Sequence, residues 1–143
     1  MDSEPLWTFY GFITPAGTRI VQRWFDASDD DLKDEIRDSL RYHENVERHL
    51  WKRPGFDELG GEGISEFRFK VSGAVYRIYG DSGPQRHEYT FLYTVEKSVG
   101  NDRAGKRIAK DRQSQLARNE AFVHVFRWKE DPDQEDSKGE SNP

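Results

Sequence analysis

Arg68, Lys70 and Arg77 recur inside GISEFRFKVSGAVYRIYG, residues 63–80, a stretch whose pattern otherwise reads as a β-hairpin. Guanidinium and ammonium groups brought together in this way suit the binding of phosphate oxygens and the offsetting of charge that builds on them during a displacement. Alternation along 64–71 puts Ile64, Glu66, Arg68 and Lys70 on one face and Ser65, Phe67, Phe69 and Val71 on the other. In 74–80, Val75, Arg77 and Tyr79 share a face, with Ala74, Tyr76 and Ile78 opposite. A Ser72-Gly73 turn joining the two strands lets the three cations converge on one side of a sheet whose other side is apolar. The same residues also fit a solvated surface, with Arg68 paired to Glu66 or Glu88.

The elements that must carry this face follow from periodicity. LWTFYGFI (6–13), TPAG and TRIVQRWF (18–25) read as strand, turn and strand, an opening hairpin. In 26–51, Leu32, Ile36 and Leu40 recur every four residues and His43, Val46 and Leu50 continue the face, which predicts one long helix or two shorter ones. Ser28 with Asp31 resembles a cap. The Pro- and Gly-rich KRPGFDELGGEG (52–63) ends the helix. After the hairpin, HEYTFLYTV (87–95) reads as a third strand of that sheet. NDRAGKRIAKDRQSQLARNE (101–120) reads as a basic helix with Ala104, Ile108 and Leu116 inward, its start weakened by Gly105. AFVHVFRW (121–128) fits a short strand or a packed arm.

Composition narrows the chemistry. The 143 residues suffice for a single domain, expected over 1–128, with an acidic, disordered tail over 129–143. The chain has no cysteine, and its four histidines are scattered, so thiolate chemistry is excluded and neither metal nor cofactor is expected. No run is apolar enough to cross a bilayer, and a soluble, cytoplasmic protein is expected. The net charge of −5 conceals an uneven distribution. Seven basic and two acidic residues lie between Lys97 and Arg118, whereas 129–143 holds six acidic and two basic ones. A basic stripe of Lys106, Arg107 and Lys110 becomes an RNA footprint if it lies beside the sheet cations, and is a solvated helix face otherwise.

GISEFR, then VYRIYG across a hairpin turn, then an aromatic strand ending in TVEKS and a helix beginning near Asn101, resembles the RelE/HigB toxins of type II toxin-antitoxin systems. The similarity covers roughly residues 6–118 and is greatest to the HigB branch. It implies an α+β, microbial ribonuclease-like domain: a twisted antiparallel sheet with an N-terminal hairpin and helices packed on one face. It also implies metal-independent, ribosome-dependent cleavage of mRNA, with a cognate antitoxin, of helix-turn-helix type, as partner. Arg68 falls on the arginine of the family's Glu-Leu-Arg strand, Arg77 on that of its Tyr-Arg strand, and Lys97 on the second lysine of its Phe-x-Lys-Lys motif. These three are the catalytic candidates that the resemblance implies, with Lys70, Lys106, Arg107 and Lys110 as RNA-binding candidates. Thr94 stands at the motif's Phe position and Glu96 at its first lysine. Two further readings fit the same superfamily: a ParE-like toxin that inhibits a topoisomerase without cleaving RNA, and a catalytically degenerate binding module.

Overall fold

A computed structural model describes residues 4–96 and 102–130. Strand β1 (Thr8–Ile13) is followed by helices α1 (Ile20–Ala27) and α2 (Asp30–His43), a single 3-10 turn, and a two-residue strand β2 (Phe56–Asp57). Then come β3 (Ser65–Val71), β4 (Ala74–Ser82), β5 (Glu88–Glu96), helix α3 (Arg103–Ala117) and β6 (Phe122–Val125). The strands form one open sheet in the order β2-β3-β4-β5-β1-β6, antiparallel except where β1 meets β5. No helix among the described residues is long and apolar enough to cross a membrane.

The opening hairpin expected from the sequence is absent. The chain does start one, with a Thr14–Gly17 hydrogen bond and a lone bridge from Ile13 to Arg19. Both edges of β1 are already taken, by β5 in parallel and β6 antiparallel, so no ladder is left for residues 18–25. They coil into α1 instead, which turns Val21, Gln22 and Phe25 inward. Helix α2 is capped by Asp29 rather than Ser28, its carboxylate accepting from the Leu32 N–H at 2.9 Å. Asp30 and Asp31 in its first turn and Arg41 in its last complement the helix dipole.

Helices cover both faces of the sheet, not one. On the first face, α1 and α2 bury Val21, Phe25, Leu32, Ile36 and Leu40 against Phe9, Phe67, Phe69, Ile78 and Phe91. Trp7, Trp51 and Trp128 close this core, and Trp24, partly buried, packs against its margin. On the second face, Ala109 of α3 meets Phe12, Ile64, Tyr79 and Leu92. The inward residues of α3 are Gly105 and Ala109 rather than Ala104 and Ile108. Small residues there let the helix axis approach the sheet closely.

Candidate functional site

The turn between β3 and β4 sets the register on which the site depends. Ser72 and Gly73 have φ of 50° and 83°, the paired positive values of a two-residue turn that matches strand twist. That register places Arg68 directly across from Arg77 and Glu66 across from Tyr79. All four side chains lie on the face that carries α3, and Lys70, opposite Val75, continues it as an exposed residue.

Glu66 holds the two arginines together. Its side chain is fully buried, with Oε2 accepting from Arg68 Nη2 at 2.6 Å and Oε1 lying 3.6 Å from Arg77 Nη1. The first contact is a short charge-assisted hydrogen bond, and the second is an ion pair beyond hydrogen-bond range. Glu66 Oε1, Arg68 Nε and Arg77 Nε are all buried without a hydrogen-bond partner among the described residues, and His124 Nε2 is the fourth such atom. Unsatisfied buried groups are costly and uncommon, so their concentration on one triad marks it out.

Next to the triad, β4 is tied to the start of α3. The Tyr79 hydroxyl donates to Asp102 Oδ2 at 2.9 Å, and the Gly105 N–H donates to Asp102 Oδ1 at 3.0 Å. A Cβ on Gly105 would stand 2.1 Å from Asp102 Oδ2, so the glycine that weakens the helix start makes room for its cap. Burial, helped by the bond to Asp102, pushes the Tyr79 phenol well above its ordinary pKa and keeps it protonated.

A bulge in β5 decides where the acidic departure from the family motif points. Tyr79 pairs with Tyr93 but Gly80 pairs with Phe91, leaving Leu92 without a β4 partner. Beyond it the alternation is reversed: Tyr93 and Val95 join the α3 face, while Thr94 and Glu96 pair with Ile78 and Tyr76 on the opposite one. Glu96 therefore does not oppose Arg77. The Leu92 carbonyl accepts from Arg112 Nη1 at 2.8 Å, and the guanidinium sits between the rings of Phe12 and Tyr93, 5.2 and 5.3 Å from their centroids. Burial lowers the Arg112 pKa from its ordinary value.

The remaining candidates are dispersed. Lys110 donates to Glu62 Oε1, and Lys106 Nζ lies 4.0 Å from Oε2 of the same carboxylate, so both are drawn to the loop before β3. The Lys110 hydrogen bond is the main cause that holds the Glu62 carboxyl below the usual range. Arg107 is exposed, and Lys97 lies outside the described residues. The histidines are elsewhere: His43 packs on Trp51 and Phe67, His49 is in the 3-10 turn, His87 is beside Trp7, and His124 is stacked over Gly11.

The sequence places Arg68, Arg77 and Lys70 on one face and offers Glu66 as a partner for Arg68, a pair that the structure contains; the reach of Glu66 to Arg77 and the parts played by Tyr79, Asp102 and Gly105 are not visible in it. The alternation already placed Glu66 and Tyr79 on that face; that they would be fully covered depended on the position of α3. What the arrangement can do is bind an oxyanion: two adjacent guanidiniums, one buried carboxylate and a nearby lysine carry a positive balance. Comparison of the chain with protein-family models, with curated proteins and with solved structures found no match.

Proposed function

We propose that the chain is a toxin of the RelE/HigB type that cleaves mRNA on the ribosome, acts in the cytoplasm and is restrained by a cognate antitoxin. The observation that carries this reading is the cross-strand pair Arg68 and Arg77, with Glu96 turned to the other face. In such a reaction the ribose 2′-oxygen attacks the adjacent phosphorus, and the bond to the 5′-oxygen breaks. Charge rises on the non-bridging oxygens as the phosphorane forms, and two planar guanidiniums side by side are suited to receive it. Lys70 adds a cation at the open edge of the same face, and Lys97 is the third candidate from the family motif. Lys106, Arg107 and Lys110 would then follow the RNA strand along α3. An antitoxin with acidic residues would silence the protein by covering the arginine face.

A second reading is favoured by Glu66, whose buried carboxylate already offsets part of the arginine charge. The protein would then be a binding module of the same fold family, holding a phosphate without cleaving it. Neither Tyr79, which is held protonated, nor Asp102, which is occupied by two donors, offers itself as a base.

The test is induced expression of the chain by itself, wild type against Arg68→Ala/Arg77→Ala, with mapping of new 5′ ends on cellular mRNA. Growth arrest with cuts within translated messages, lost in the double variant, supports the ribonuclease. Arrest without cuts points to a topoisomerase-directed toxin, and absence of arrest to the binding module.

A further inference from the structure

We infer that Glu66 is the positioning residue of an oxyanion receptor formed by Arg68 and Arg77, and not simply their counter-ion. This deepens the proposed phosphate role of the arginine pair and rests on it. Like charges directly opposite on neighbouring strands repel, so two guanidiniums in register need something between them. Glu66 is the only carboxylate among the described residues that forms an ion pair with either, and it reaches both from a site with no solvent exposure.

The use made of the available donors is as telling as the contacts. Each guanidinium has five N–H donors. Among the described residues the Arg68 guanidinium spends one, on Glu66, and the Arg77 guanidinium spends none. Burying an arginine for stability alone favours saturating its donors, since a buried donor without an acceptor costs free energy. Here Arg77 is 14% exposed, both Nε–H groups are buried and unused, and the carboxylate grips each arginine through a single Nη. The carboxylate fixes the direction of the two forks through one Nη each and leaves their other Nη donors for an acceptor bearing several oxygens, such as a phosphate group.

Two physical accounts make opposite predictions for one variant. If Glu66 acts by its charge alone, Glu66→Gln removes a nearby negative charge and tightens the binding of any anion. If Glu66 positions the arginines, the same change frees them and weakens binding. Loss of an orienting partner in metal centres costs on the order of tenfold or more, and a comparable loss is expected here.

The experiment follows the Arg68 and Arg77 Nε–H resonances of the full chain by NMR during titration with inorganic phosphate, in wild type and Glu66→Gln. Each resonance is assigned by its disappearance in Arg68→Lys or Arg77→Lys. In the wild type both are expected to shift along one binding curve; a response from neither, or from only one, overturns the inference. In Glu66→Gln, about tenfold weaker binding supports it, and equal or tighter binding overturns it. Should Glu66→Gln fail to fold, Glu66→Asp takes its place, keeping the charge but shortening the reach to both arginines: weaker binding supports the inference and unchanged binding overturns it. The ribonuclease reading is judged separately by the mapped 5′ ends: a joint phosphate response without mRNA cuts keeps the receptor and removes the nuclease.

Discussion

Asp102 accepts from Tyr79 with one carboxylate oxygen and from the Gly105 N–H with the other, so a single side chain caps α3 and fastens it to β4. Asp102→Ala removes a helix cap, worth about 1 kcal/mol. It also leaves a buried phenol without its acceptor, for about 1 to 3 kcal/mol more. Gly105→Ala is expected to destabilise as well, although alanine is the better helix former by about 1 kcal/mol, because its Cβ would displace the Asp102 carboxylate. Urea unfolding of both single variants and the double variant tests the link. With Asp102 already truncated the clash is gone, so the second change should become neutral or stabilising. Additive effects would show that the two residues act independently.

His43 makes stability depend on pH. Its ring is buried against Trp51 and Phe67, and Nδ1 lies 2.7 Å from the Ser39 carbonyl, which fits a neutral ring donating from Nδ1. Burial lowers its pKa, the Ser39 bond opposes the shift, and Arg48 adds to the lowering. A depressed histidine pKa means that the unfolded chain binds more protons in the window between the two pKa values. His43's contribution is therefore complete above the unfolded value of 6.5 and declines as pH falls from there through the folded pKa. One such group gives a slope of at most about 1.4 kcal/mol per pH unit. His124, also lowered by burial, acts in the same direction. His43→Phe should reduce the slope without abolishing it, and an unchanged slope in urea melts between pH 7 and 5 would contradict this.

Gly80 is the tightest point beside the bulge that keeps Glu96 off the arginine face. A Cβ there would lie 2.4 Å from the Thr90 carbonyl oxygen and 2.5 Å from Tyr89 Cε1, and Tyr89 is fixed by its hydroxyl contact with Ser65 at 2.8 Å. Neither neighbour can yield cheaply. Gly80→Ala should lower stability by about 1 to 3 kcal/mol, as overpacking does in a close-packed core. A thermal melt indistinguishable from wild type would mean that the strand relaxes here.

The β3–β4 hairpin and its arginine face were legible because alternation, a Ser-Gly turn and aromatic residues all pointed to the same register. TRIVQRWF was misread for a nonlocal reason: its pattern suits a strand, and only the occupation of both edges of β1 by distant segments excludes it. The face reached by Glu96 was equally hidden, since simple alternation cannot register the extra Leu92. Glu66 looked like a surface partner for Arg68. Its full burial arises from tertiary packing that the strand pattern alone does not encode.

Glu62 offers a test of the proposed RNA footprint along α3, because it binds Lys110 and lies near Lys106. Glu62 is partly exposed, so its contribution to stability is small. If these lysines meet an RNA backbone, Glu62 competes with phosphate for them. Glu62→Gln should then tighten binding of a short polyuridine RNA at low salt, whereas Lys110→Gln should weaken it and reduce the slope of log affinity against log salt by about 1. Arg107→Gln, at an exposed position on the same helix, should do likewise if the footprint extends along α3. Affinities that stay level across all three variants would confine RNA contact to the sheet face and make this stretch of α3 a solvated surface.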